Sequence, residues 1–401
     1  MAAKYRSVLA VPGAPRLFAT ALVARLPQGM VPLAVLLLVR AATHSYAAAG
    51  LAVGGAALAT AGCAPVWGRL VDRLGRARVL GRVAAAEACA YWLLVVGAQL
   101  HAGAVVLIAL AILAGALLPP IAPVVRVMLR EVIDDAAVRE TAYSLEAVTQ
   151  EVLWISGPLV VALVVTLASP AAAVILIGAV CLTGTALFLR SPLVRSSPAS
   201  AAPTSRGSAL ANPELRALLG PVALTGVGLG AIEVGLPSLA LHAGSRPASG
   251  MLLALWSLGS LTGGLWYGSR TWRSPLARRY RVLLAFAVIS TLPLIAARSI
   301  AAGVVCSLLA GVTIAPVFSC QYALVGRSVS AGTETEAFTW VAAALIGGLA
   351  AGSAIGGVVI APAGVSAPFV ISCAATMLAA LLAAGFRAPN ARRPASPPAR
   401  G

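Results

Sequence analysis

The sequence predicts an all-α polytopic membrane protein with twelve transmembrane helices in two six-helix pseudo-repeats. Three observations carry that prediction. The 401 residues are 60% hydrophobic and only 10% charged, with a mean hydropathy of +0.95, whereas soluble domains carry about a quarter charged residues. Twelve apolar stretches are long enough to cross a bilayer, which takes about 20 residues. The basic residues collect in alternate gaps between those stretches.

Taken in order, the predicted helices cover 18–39, 49–70, 79–100, 104–127, 142–167, 171–189, 215–241, 250–269, 280–297, 300–326, 339–361 and 368–386. The first follows a basic N-terminus (Lys4, Arg6, Arg16) and has no clear small-residue cleavage site, so it reads as a retained helix and not as a signal peptide. Helices 9 and 10 are parted only by Arg298 and its neighbours. The longest polar break, 190–214, is rich in Ser, Pro and Ala and reads as a linker. It divides the chain into a bundle over 1–189, the linker, a bundle over 215–386 and a tail over 387–401.

Charge then orients the helices. Of 29 basic residues, 25 fall at the N-terminus, in the even-to-odd loops, in the linker and in the tail. Only Arg40, Arg246 and Arg298 fall in the opposite loops, and Arg25 lies inside helix 1. Cationic loops stay cytoplasmic, which predicts cytoplasmic termini and linker in a multi-pass protein of the inner (plasma) membrane. The formal net charge of +17 is therefore a topology signal and not a nucleic-acid footprint. Six cysteines lie in apolar runs without CxxC spacing, so neither a disulfide framework nor a metal site is indicated. His44, His101 and His242 form no metal or nucleophile motif, and no phosphate-binding loop is present. No cofactor, no catalytic residue and no enzymatic activity are expected.

The halves repeat. "IAPV" occurs at 121–124 and at 314–317, "AYS" at 142 matches "AFT" at 337, Gly157 meets Gly352, and Gly68 corresponds to Gly268. Six helices per half keep the second half in the same orientation, the parallel-repeat arrangement of transporters with alternating access.

Between helices 2 and 3 stands "GRLVDRLGRARVLGR". Its Gly68, Asp72, Arg73, Gly75 and Arg76 resemble the loop 2–3 signature of the major facilitator superfamily, Gly-x-x-x-Asp-Arg-x-Gly-Arg. One basic position is displaced, Ala77 being followed by Arg78. The resemblance extends to helix count, orientation and central linker. It implies that the acid is part of a latch between the halves. The arginines anchor the loop at the anionic inner leaflet, and Asp72 can accept hydrogen bonds from a helix N-terminus or pair with arginine. The second copy, "GSRTWRSPLARRYR", has Trp272 where the acid would be. Helix 5 keeps Gly157 and Pro158 of the drug–proton antiporter signature, but Leu153, Val161 and Ala162 replace its other glycines.

Charges inside apolar helices each need a partner or a cavity, since one at the bilayer centre costs roughly 2.5–3.5 kcal/mol on insertion scales. The candidates for proton coupling or the cavity are Arg25, Arg126, Glu146, Glu151 and Glu233. The resemblance makes helices 1 and 5 neighbours beside a central cavity, so Arg25 would pair with Glu151 or with Glu146, and Arg126 can also reach Glu146. Glu87, on peripheral helix 3, reads as structural. The expected function is secondary active transport by alternating access: proton-coupled export of a small amphipathic organic compound by a monomer in the lipid bilayer. An importer or facilitator, or a non-transporting sensor that kept the fold, is the alternative.

Overall fold

The computed structural model describes residues 2–196, 207–329 and 332–385. Among them are twelve helices long and apolar enough to cross a membrane, here spans 1 to 12. They are Ala14–Thr43, Tyr46–Leu74, Arg76–Gln99, Ala104–Val132, Ala136–Leu167, Pro170–Leu189, Pro213–His242, Pro247–Gly268, Leu276–Ala296, Ile300–Ser328, Glu334–Ala363 and Ala367–Ala384. No strand occurs among the described residues. Of the expected linker and tail, 197–206 and 387–401 lie outside them.

Every predicted helix has its counterpart, and the differences at the ends have local causes. Span 5 starts at Ala136 and not near 142, because Asp135 caps it: Oδ1 accepts from the N–H groups of Ala137 (2.7 Å) and Val138 (3.2 Å). Span 4 pauses after Ala116 and resumes at Ile121. Pro119 and Pro120 fall in that pause, and proline supplies no N–H to the helix ladder. Span 10 pauses at the equivalent place, between Gly311 and Ile314. Spans 9 and 10 are separated by a short turn in which Ser299 Oγ caps the N–H of Ala302 at 3.3 Å. Spans 1 and 7 run unbroken through Pro27, Pro32 and Pro237. An eight-residue N-terminal helix, Ala2–Leu9, precedes span 1 and had no counterpart among the predicted helices.

The repeat is visible in the packing. Gly115 of span 4 lies on the backbone of Ala56 in span 2, and Gly311 of span 10 lies on that of Trp256 in span 8. Gly157 of span 5 abuts Gly29 of span 1, and Gly352 of span 11 abuts Val227 of span 7. Small residues let backbones approach this closely, where van der Waals contact replaces the missing hydrophobic drive.

The core is divided unevenly. One cluster contains residues of both halves, from Leu17, Val124 and Tyr143 to Tyr267, Phe318 and Phe338. It lies toward the end that carries the N-terminal helix and the arginine-rich loops. At the other end are two separate clusters. The first, from Met30 to Ile177, belongs wholly to the first half; the second, from Ile232 to Phe369, belongs wholly to the second. The halves are thus fused at the arginine-rich end and independent beyond it.

Candidate functional site

Three layers of polar contact join the halves, two side by side at the arginine-rich end and one deeper within the spans. The first is built from the stretch 68–76. Gly75 ends span 2 with φ of 89°, a left-handed conformation that favours glycine, and its N–H donates to Val71 at 3.0 Å. Asp72, one turn earlier, is buried. Its two carboxylate oxygens accept from the backbone N–H groups of Thr335 (3.1 Å) and Glu336 (2.9 Å). Those N–H groups belong to the first turn of span 11, where no intrahelical acceptor exists. Asp72 therefore caps a helix of the opposite half, and its charge meets the positive end of that helix. Of the two partners open to Asp72, a helix terminus or an arginine, the structure has the terminus. Gly68 allows the approach, because a Cβ there would strike Thr339 and the Glu336 backbone. Arg76 pairs with Glu131 at the end of span 4, and Arg73 is exposed.

Neighbours absent from the expected set reinforce this seam. Arg69 Nη2 donates to Glu336 Oε1 at 2.7 Å. Ser208, just past the linker's centre, accepts from Arg69 (2.9 Å) and donates to Glu336 (2.8 Å). Arg130 lies 3.6 Å from Glu334.

The second layer is its pseudo-symmetric counterpart, between spans 5 and 8. Gly268 packs against Ser144 as Gly68 packs against Thr339. Ser144 Oγ donates to Gly264 O at 2.7 Å, and Thr141 Oγ1 to Gly268 O at 3.1 Å. Trp272, in the place of Asp72, stacks on Tyr267 with ring centroids 5.0 Å apart. The acid of this seam is instead Glu140 at the start of span 5. It accepts from Arg279 Nη2 (3.0 and 2.9 Å) and from Arg327 Nη2 (2.9 Å), both of the second half. Tyr5 of the N-terminal helix adds a bond to Leu265 O at 2.9 Å.

The third layer holds the charges inside the spans. Arg25 Nη1 donates to both oxygens of Glu146, at 2.8 and 2.9 Å, and its Nη2 to Gln150 Oε1 at 2.5 Å. Both ends of the pair are fully enclosed. Arg126 Nε stands 3.5 Å from the same carboxylate. Its Nη2 crosses to the other half and donates to the Tyr322 hydroxyl at 2.9 Å, with the guanidinium carbon 3.7 Å from the centre of that ring. A cation over an aromatic face gains about 0.5–2 kcal/mol.

Glu151 does not meet Arg25. It is buried and faces Ser260 of span 8 across the seam, and Ser260 Oγ accepts from Ala315 N–H at 3.2 Å. Between Arg25–Glu151 and Arg25–Glu146, the structure has the latter. Glu233 joins none of these layers: it is exposed on span 7. Gly157 serves the contact with span 1, with Pro158 beside it. Glu87 is enclosed between spans 3 and 6, with Cys181 Sγ donating to it at 2.8 Å. Tyr322, Gln150, Glu140 and Ser208 lie outside the candidates that the sequence offers, which are the 68–76 stretch, Gly157 with Pro158, and the charged residues inside apolar runs. The one signal for Glu140 was the acid absent from the 8–9 loop.

No curated protein matches the chain. Several solved structures share its fold. The human organic anion transporter MFSD10 (TETRAN) is 18% identical, covering 92% of this chain and 98% of its own, with a TM-score of 0.71. A bacterial homologue of the iron transporter ferroportin, in an outward-facing state, is 14% identical over 93% and 98%, with a TM-score of 0.74. The sequence profile of the Major Facilitator Superfamily matches residues 17–269. That span is more than half of the sequence and includes the 68–76 stretch, the Arg25–Glu146 pair and Gly268, so the chain belongs to the Major Facilitator Superfamily.

Proposed function

We propose that this protein is a proton-coupled exporter of a small amphipathic organic compound, working by alternating access in the plasma membrane. The observation that carries the reading is the division of the core: one cluster crosses the halves at the arginine-rich end, and two separate ones lie at the other. With the arginine-rich end in the cytoplasm, as the charge distribution favours, this is an outward-facing arrangement. The two seams then serve as cytoplasmic latches, with Gly68, Asp72, Gly75 and Arg69 in the first and Glu140, Arg279 and Arg327 in the second; Arg76 pairs within its own half, with Glu131.

Arg126 gives the cycle a charge switch. It has Glu146 on its own half and Tyr322 on the other. Separation of the halves removes Tyr322 and leaves Arg126 with the Glu146 carboxylate, which Arg25 already shares. Glu151 loses Ser260 in the same movement. A carboxyl whose neighbours change with conformation changes its proton affinity, which is the physical requirement for coupling. The surplus guanidinium beside Glu146 favours compounds carrying an acidic group, a chemistry that the name of the similar human organic anion transporter shares.

The test is uptake into inside-out proteoliposomes, with and without a proton gradient, across a panel headed by anionic amphiphiles. Gradient-driven uptake supports export. Equilibrative uptake alone marks a facilitator, and no transport of any compound favours a sensor.

A further inference from the structure

Where the N-terminal helix, the start of span 5 and the 8–9 loop meet, the arginine-rich end holds a pocket of about 200 Å³. It is smaller than the roughly 300–1,000 Å³ usual for organic ligands. Three cations, Lys4, Arg270 and Arg327, and one carboxylate, Glu140, line it. That carboxylate is already served by Arg279 and Arg327. Lys4 and Arg270 have no ion-pair partner among the described residues. The pocket is therefore a concave site with uncompensated positive charge and a hydroxyl donor, Thr271, in its wall.

Its level in the membrane is set by tryptophan. Trp272 lines the pocket and meets the half-exposed Trp266 edge-on, with centroids 5.8 Å apart. The Arg270 guanidinium lies 5.6 Å from the Trp266 ring centre. Tryptophan gathers at the membrane–water interface, so the cations stand at headgroup depth. The walls also come from both halves: Lys4, Glu140 and Thr141 from the first, Tyr267, Arg270 and Arg327 from the second.

We propose that this pocket binds the phosphate of an anionic lipid headgroup, and that the bound lipid clamps the arginine-rich end shut. A ligand that touches both halves only when they meet stabilises that state by its binding free energy. The phosphate site stands on the pocket alone; the clamp rests on the alternating-access reading above.

Native mass spectrometry on the purified full chain in neutral detergent tests the site, with dioleoylphosphatidylglycerol, dioleoylphosphatidylcholine and inorganic phosphate as separate probes. One saturable phosphatidylglycerol is expected. Its affinity should fall at least about tenfold in Lys4→Gln/Arg270→Gln, from the loss of two cations near the membrane surface, and stay unchanged in Arg298→Gln at the opposite end. Equal binding of phosphatidylcholine, or equal affinity in the double variant, overturns the site. Inorganic phosphate binding as tightly as the lipid overturns the lipid assignment.

The clamp is read by maleimide labelling of Val148→Cys, on the face of span 5 that meets Gly264, in a background with the native cysteines replaced. Phosphatidylglycerol should slow that labelling, and the double variant should remove the effect. Labelling that responds to Asp72→Asn but not to lipid overturns the clamp alone. Labelling that responds to neither counts against the alternating-access reading itself.

Discussion

Arg126 and Tyr322 meet across the two halves by two contacts at once, a hydrogen bond of 2.9 Å to the hydroxyl and a 3.7 Å stacking of the guanidinium on the ring. The residues are buried and 196 positions apart. They tie the two halves together directly beside Glu146. Tyr322→Phe keeps the ring and removes the acceptor. A buried donor without a partner costs about 1–3 kcal/mol, and here that cost falls only on the closed state. Labelling of Val148→Cys should rise several-fold while the melting temperature changes little. Unchanged labelling would show that the tie does not bias the conformation.

The Arg25–Glu146 pair should behave in the opposite way. Both members lie in the first half, so the pair holds spans 1 and 5 together whatever the halves do. Removing one partner of a buried ion pair costs about 3–5 kcal/mol, because the other charge remains buried. Arg25→Met and Glu146→Gln should each lower the melting temperature strongly. The double substitution should recover a large part of the loss. Additive losses in that cycle would show that Arg126 and Gln150 already satisfy the remaining member.

Asp72→Asn and Glu140→Gln test the two seams together. Asp72 accepts two N–H bonds, and Glu140 accepts from two arginines. Hydrogen bonds to a charged group contribute about 1.5–3 kcal/mol each in favourable cases. Each substitution should raise Val148→Cys labelling, and the double substitution should raise it by the product of the two factors, since both seams oppose one opening. If Glu140→Gln alone has no effect, the second seam is held by its hydroxyl and glycine contacts.

Glu151→Gln separates coupling from structure. Glu151 has no ion-pair partner among the described residues, so its loss strands no buried charge. The substitution should abolish gradient-driven accumulation, retain substrate exchange and leave the melting temperature near that of the native chain. Normal driven transport would move the coupling role to Glu146 or to the exposed Glu233.

The sequence alone determined the number of helices, the placing of the arginines at one end and the two-fold repetition of the chain. These are one-dimensional properties: an apolar run long enough to span a bilayer spans it whatever its neighbours are, and each loop carries its own charge. The 68–76 stretch was legible as a contiguous motif at the end of span 2, and its expected role came from the resemblance that motif carries. The partners were not legible. Depth along a helix follows from a rise of about 1.5 Å per residue, but Glu146 and Glu151 are also about 140° apart around span 5. Only packing decides which one turns toward span 1. Gln150 falls on the Glu146 side and completes the cradle of Arg25. The second seam was hidden by the same limit. Trp272 shows in the sequence as a missing acid, and Glu140 supplies a carboxylate from a helix 139 residues away from Arg279. Contacts between helices so distant in sequence depend on rotation and tilt, and the tertiary structure alone sets those.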